Sequence, residues 1–245
     1  PSLILKNSLL NNNEINENFE FHINFKILVK FKKEINSNFD GKYNPDIPIS
    51  LYFMREFEKE GALLSCSNTE LPYMMATASH FNDDIKKDIY LNRQNYAMFI
   101  YQIKSDSLGK IYNLHKFPIV KYKFNEKDID QIKKAILRIS NFFLNDEIEF
   151  ILYPLENSSP IKNTKDAQIL SNDFNYKKLH LVSVHGMSSM RSNSLSNSPT
   201  DYFGKLKGFQ NIFINDASIL PGNTGESPQA SIMAFSKFFA ENLKL

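Results

Sequence analysis

Three short segments near the end of the chain carry the side chains best suited to chemistry. His185 closes an apolar run (Leu181, Val182, Val184) and is followed by Gly186, Ser188, Ser189 and Arg191. Asp216, Ala217 and Ser218 close a second apolar run of Ile212, Phe213 and Ile214. Ser227 and Pro228 open a stretch in which Ile232, Phe235, Phe238, Phe239 and Leu243 recur at helical spacing. Histidine serves as a general base because its unperturbed pKa lies near neutrality. Ser227 suits an N-cap, and Pro228 suits the first helical position, where a missing N–H costs nothing. The free N–H groups expected at Gln229 and Ala230 carry a partial positive charge that suits an anion or a developing negative charge. Taken alone, these features also describe an ordinary strand–loop–helix at the end of an α/β domain, with His185 as a core histidine.

The elements that must position these residues can be read upstream. Residues 1–10 suggest a short helix with Pro1 in its first turn. From 19 to 31 the chain alternates: Phe19, Phe21, Ile23, Phe25, Ile27, Val29 and Phe31 share one face, and Glu20, His22, Asn24, Lys26, Leu28 and Lys30 the other. This spacing predicts a long, half-buried strand with His22 solvated or hydrogen-bonded on its polar face. Residues 37–48 read as loop, 49–57 as a strand, 65–73 as a turn-rich connection holding Cys66, and 82–88 as a solvated charge run. Strands at 96–103, 110–112 and 117–124 suggest an antiparallel meander, with His115 exposed in a hairpin loop. Asn125 caps a long helix with Asp128 three residues on, and Ile129, Ile132, Ile136, Ile139 and Phe143 form its buried stripe. A strand at 147–153 and a polar linker at 157–165 follow, with the chain leaving the sheet near 157–173. The low-complexity loop at 192–199 reads as mobile, a lid being a less supported alternative.

Composition excludes several classes. With 245 residues the chain can bury a sizeable core in one or two domains. A net charge of +2 provides no field for nucleic acid or an anionic membrane. The single cysteine rules out an intrachain disulfide, and no Cys/His spacing suggests zinc. No apolar run approaches a membrane span and no signal peptide is visible, so cytoplasm is the default expectation. The eight glycines contain no G-x-G-x-x-G, the loop that would cradle a dinucleotide pyrophosphate. With Pro1 rather than Met at its start, the chain is expected to begin inside a longer protein or after processing.

The C-terminal segments resemble the signature of the glucose–methanol–choline (GMC) family of FAD-dependent oxidoreductases. Its H-x-x-G-T-x-R-like segment matches His185 with Arg191, and its N-L-(Y/F)-V-x-D-A-S-x-(F/L)-P segment matches residues 211–221 (NIFINDASILP). Its G-x-N-P-(Q/x)-x-(T/S)-I-x-A segment matches residues 225–234 (GESPQASIMA). Residues 1–10 resemble a family helix entered at its Pro. His22 resembles the family's H-P position with Ile23 in place of Pro, and residues 106–122 resemble the substrate-domain sheet. Two departures stand out. Ser227 occupies the position where the family usually carries Asn or His as its second active-site residue, and Ser188-Ser189-Met190 stands where Gly-Thr-Cys is commoner.

The resemblance implies an α+β (mixed α/β) fold: an antiparallel substrate-binding sheet backed by helices, plus the C-terminal return segment of an FAD-binding Rossmann-like domain whose N-terminal part is missing. Residues 1–18 would be a remnant of that domain, 19–175 the substrate-binding domain and 176–245 the return segment. The implied activity is oxidation of the CH–OH group of an alcohol or sugar by hydride transfer to FAD. His185 would be the base and Ser227 its catalytic neighbour, while Asp216, Ala217, Pro228, Gln229 and Ala230 would bind the cofactor. The implied partner is the missing FAD-binding segment, in cis or in trans. The alternative is a non-catalytic module that packs against a separate flavin-binding chain. A hydrolase has no G-x-S-x-G elbow to support it.

Overall fold

The computed structural model describes residues 19–35, 53–54, 62–67, 70–114, 117–182, 184–190 and 198–242. The expected helix at 1–10, the loop at 37–48, most of the strand at 49–57, His115, Arg191 and most of the 192–199 loop lie outside them. Seven strands occur among the described residues: β1 (Ile23–Phe31), β2 (Phe53–Met54), β3 (Ala62–Cys66), β4 (Tyr96–Ile103), β5 (Lys110–Leu114), β6 (Phe117–Lys121) and β7 (Ile148–Leu152). The helices are α1 (Leu71–Thr77), α2 (Asp83–Leu91), α3 (Glu126–Phe143), α4 (Thr164–Asn172) and α5 (Gln229–Asn242). The fold is mixed α and β with antiparallel pairing, as the resemblance implies. Two compact units result, one of Pro1–Ile23, Lys104–Asp128 and Val184–Leu245, the other of Asn24–Ile103 and Ile129–Ser183.

The second unit is built on a five-stranded sheet in the order β2-β3-β4-β1-β7. Its strand β1 is not half-buried as its alternation suggests; it is covered on both faces. Phe25, Ile27 and Val29 are buried on one side, and Asn24, Leu28 and Lys30 on the other. The cause lies in α1, α2 and the turn between them, whose Met74, Ala78, Phe81 and Ile89 pack with Leu28, Tyr96, Met98, Phe150 and Leu152. The charge of Lys30 survives burial because its Nζ sits 2.8 Å from Asp88 of α2 and 3.2 Å from Glu149 of β7. The run at 82–88 is a helix start, and Asn82, Asp83, Asp84 and Lys87 are exposed on it, as a solvated charge run requires. Asn82 Oδ1 accepts from Ile85 N at 2.9 Å, and Asp83 and Asp84 sit in the first turn, where the helix dipole favours them. Likewise 65–73 is no open connection: it ends β3 and begins α1, with Pro72 in the first turn.

The opposite face is covered by α3, whose Ile132, Ile136, Ile139 and Phe143 are buried as the stripe requires. Phe143 packs against Phe99 of β4 at a centroid distance of 4.6 Å. Tyr153 is buried there, its hydroxyl donating to the Ile136 carbonyl and pairing with Ser140 Oγ, both at 2.8 Å. The expected polar linker contains α4, capped by Asn163 Oδ1 accepting from Asp166 N at 3.0 Å. A bond from Ser171 Oγ to the Lys133 carbonyl ties α4 to α3.

In the first unit, β5 and β6 pair as a hairpin of their own and do not continue a meander with β4. The strand expected at 212–214 is reduced to one bridge, Lys205 to Phe213, flanked by Leu206 N to Ile212 O and Ile214 N to Gly204 O, each 2.8 Å. Its partner is too short to extend the ladder, because Gly204 turns away with φ +74°. A Cβ at Gly204 would lie 2.6 Å from the Ile214 carbonyl and 2.8 Å from Phe239, the buried residue of α5. The stripe of α5 is only partly covered: Phe239 is buried, whereas Phe238 is exposed.

Candidate active site

The geometry around His185 follows from one pair of backbone bonds. Glu20 N donates to the Met187 carbonyl at 3.1 Å, and Met187 N donates back at 2.7 Å. Two residues along each antiparallel segment, His22 and His185 therefore fall opposite one another. Their rings are stacked, with centroids 5.4 Å apart and planes 18° from parallel. His22 is fully buried, which rules out the solvated half of the expectation and leaves the hydrogen-bonded half standing. Burial first, and the neighbouring His185 second, push its pKa down to about 4. His22 is consequently neutral at pH 7.

His185 is half-buried, and its Nδ1 is sealed from solvent with no hydrogen-bond partner. The hydroxyls of Ser188 and Ser189 are sealed and unpartnered in the same way. Ser188 adopts φ +66°, a left-handed conformation uncommon outside glycine. Among the described residues no regular strand forms ahead of His185, and Val182 and Val184 are exposed. Gly186 is needed next to it, because a Cβ there would lie 2.4 Å from Phe19 Cε2.

The other expected site residues lie on two neighbouring stretches. Asp216 caps the one-turn 3-10 helix Ala217–Ile219, its Oδ1 accepting from Ser218 N at 2.8 Å and Ser218 Oγ at 2.5 Å. The Ser218 carbonyl in turn accepts from Met190 N at 2.8 Å, joining this turn to the segment that carries His185. Helix α5 opens one residue later than expected. The Pro228 carbonyl accepts its first bond, from Ile232 N at 2.9 Å, so the cap position falls on Pro228 and Ser227 precedes it, exposed. The N–H groups of Gln229 and Ala230 come before that first bond and have no helical acceptor. Among the described residues, no hydrogen bond or ring contact joins His185 to residues 227–230.

Asn223, which sequence reasoning missed, links these pieces. It is buried, and its backbone N–H donates to Glu20 Oε2 at 3.0 Å. Its side-chain amide donates to the carbonyls of Phe21, at 3.1 Å, and Ser105, at 2.7 Å, while Oδ1 accepts from Gly225 N at 2.8 Å. Ser105 is itself anchored. Buried Asp128, whose own N–H is held by Asn125 Oδ1 at 2.8 Å, accepts from Ser105 Oγ, Ser107 Oγ and Asp106 N. The available signal for Asn223 was its place between two glycines in a turn, PGNTG. For His22 it was Leu28, an apolar residue on the supposedly polar face of β1.

Comparison with known proteins decides what this arrangement belongs to. A family model described as GMC oxidoreductase matches residues 107–236. The chain belongs to the GMC oxidoreductase family. Two uncharacterized GMC-type oxidoreductases, from two strains of Mycobacterium tuberculosis, are each 23% identical over 146 residues, 59% of this chain and 23% of theirs. Among solved structures, pyridoxine 4-oxidase from Mesorbium loti aligns with TM-score 0.58 at 16% identity, covering 95% of this chain and 44% of its own. A formate oxidase variant from Aspergillus oryzae, whose description concerns FAD modification, aligns with TM-score 0.53 at 14% identity, over 95% and 48%. An FAD-dependent oxidoreductase from Chaetomium thermophilum aligns with TM-score 0.52 at 11% identity, over 98% and 51%. The GMC chain thus spans about half the length of these structures. None of its described helices is long and apolar enough to cross a membrane, and no cluster of three metal-ligating side chains occurs among the described residues.

Proposed function

We propose that this GMC chain supplies the substrate-binding and return segments of an FAD-dependent oxidoreductase acting on the CH–OH group of an alcohol or sugar, with His185 as the base. In this reading residues 1–18 and 176–245 belong to the flavin-binding domain and 19–175 to the substrate-binding domain. The observation that carries it is the stacked pair of His22 and His185, held in register by the Glu20–Met187 bonds. The partner of the base is kept neutral by burial, so it adds no positive charge that would oppose proton uptake by His185. With Nδ1 sealed, Nε2 is the nitrogen left to take the hydroxyl proton of the substrate.

The residues present fit a flavin. The sealed hydroxyls of Ser188 and Ser189 lack partners, and the first N–H groups of α5 are free to face an acceptor. When bound, FAD supplies the hydride acceptor. Gln229 and Ala230 would direct their N–H groups, with the dipole of α5 behind them, toward negative charge developing on the isoalloxazine. The Asp216 carboxylate is engaged in capping its own turn, so this stretch would meet the cofactor through its backbone. Ser227 would donate or accept one hydrogen bond at the substrate oxygen. Tyr202, Phe203, Met233 and Phe238 are exposed around α5 and offer apolar surface to the flavin-binding segment.

The test is anaerobic flavin reduction by a panel of primary alcohols and aldoses, using the FAD-loaded protein that contains this chain. His185→Ala is expected to slow reduction by roughly 100-fold or more without releasing FAD. Reduction by no alcohol or sugar would refute the substrate class, and an unchanged rate in the variant would refute the role of His185.

A further inference from the structure

We propose that Asn223 is a positioning residue. Its side-chain amide clamps the segment carrying His22 to the turn that opens α5, so the histidine pair and the start of the helix are held in one frame. Its functional weight rests on the reading above; the clamp itself does not.

The amide is fully used. Both N–H groups have carbonyl acceptors, one of them on Phe21, the residue next to His22, and the other on Ser105. The oxygen of the same amide holds Gly225 N at 2.8 Å. Gly225 adopts φ +78°, and a Cβ there would come within 3.0 Å of Lys104 Cβ, so the turn has one conformation to keep. A planar group with two donors on one side and an acceptor on the other is the one short side chain that can bridge all three segments. Aspartate has the same shape but no donors, and would set a carboxylate against two carbonyls and the carboxylate of Glu20. Alanine removes every side-chain bond and keeps only the backbone N–H to Glu20 Oε2.

These differences separate positioning from mere structural support. Asn223→Asp retains an acceptor for Gly225 but loses the grip on Phe21 and Ser105. Asn223→Ala loses both. The clamp holds the backbone of Phe21, next to His22, whose burial first and His185 second push its pKa down to about 4.

The experiment is a histidine 13C–1H NMR titration of the full chain, with His22 assigned by the missing signal in His22→Gln, combined with amide exchange at Gly225. The expected result is a His22 midpoint raised by at least one pH unit in both variants. Gly225 exchange should be tenfold or more faster in Asn223→Ala and little changed in Asn223→Asp. Folded variants with a wild-type His22 midpoint would overturn the proposal, as would equal Gly225 protection in the two variants. If Asn223→Ala does not fold, Asn223→Asp alone decides through its His22 midpoint. No flavin is needed, so failure of the oxidoreductase reading would leave this result intact, and the reverse.

Discussion

Gly186→Ala tests whether close packing behind His185 sets the position of the histidine pair. The added methyl would lie 2.4 Å from Phe19 Cε2, 3.2 Å from Cζ and 3.3 Å from Cδ2. Carbon contacts are comfortable at roughly 3.5–4.0 Å, so the ring or the segment must move by about an ångström. The ring has little freedom. Phe19 is 6% exposed, lies 6.0 Å from Phe21 and 6.4 Å from Tyr122, and is fixed at its backbone by two bonds to Gly109. Overpacking of this kind costs about 1–3 kcal/mol. Gly186 has no positive φ, so alanine regains about 0.4–1 kcal/mol by restricting the unfolded chain. The net loss is expected at about 0–2.6 kcal/mol, measured as a lower urea midpoint at constant slope. The decisive comparison is Phe19→Ala. In that background the clash is gone, and Gly186→Ala should be neutral or stabilising by up to about 1 kcal/mol. An equal loss in both backgrounds would refute the steric argument and with it this account of why glycine follows His185.

Two further predictions concern charge. His22 binds its proton only near pH 4 when folded and near 6.5 when unfolded, so its contribution is intact above about 6.5 and is lost as pH falls toward 4. The loss is at most about 3.4 kcal/mol at 1.36 kcal/mol per unit; urea midpoints at pH 7.5 and 4.5 should differ in the wild type and differ less in His22→Leu, and equal pH slopes would contradict it. Asp128→Ala leaves Ser105 Oγ, Ser107 Oγ and Asp106 N without their buried acceptor and should cost roughly 2–5 kcal/mol, with faster exchange at Asp106 N; a change under about 0.5 kcal/mol would show that the cluster is not a structural anchor.

How much of this was legible in the sequence depended on whether a feature was local. The helix from Asn125 and its stripe were readable because cap, spacing and burial are all set within one element, and the structure has them. Strand β1 was readable as a strand, but not its two-sided burial, which α1 and α2 impose from residues some fifty positions away. The single apolar breach of its polar face, Leu28, was the available warning. The strands expected before His185 and at 212–214 failed for the complementary reason: β-prone residues make a ladder only where a partner of matching length exists, and Gly204 ends the partner of the second. His185 was recognisable by motif, whereas its stacking on His22 arises from a register between residues 20 and 187 that no local pattern encodes. For Asn223 the PGNTG turn marked only a turn, whereas its bonds reach Glu20, Phe21 and Ser105, all far away in sequence.

The motif at 211–230 is largely occupied with holding itself together. Asp216 spends one carboxylate oxygen on its own turn, the Ser218 carbonyl fixes Met190, and Asn223 fixes Gly225. What remains uncommitted is narrow: the first N–H groups of α5, Nδ1 of His185 and the hydroxyls of Ser188 and Ser189. Leaving buried polar groups unmade costs about 1–3 kcal/mol each, and Ser188 adds the strain of φ +66°. Packing alone gives no reason to keep a serine in that conformation with its hydroxyl sealed and idle, since glycine would remove both costs. His80 Nε2 and Gln131 Oε1 are also sealed without a partner, but the hydroxyls of Ser188 and Ser189 lie beside His185, where on the proposed reading a bound cofactor would supply their partners. Ser188→Gly therefore separates the two views: it should stabilise the free chain while weakening flavin retention in the loaded protein, and stabilisation with unchanged retention would leave the hydroxyl without a function.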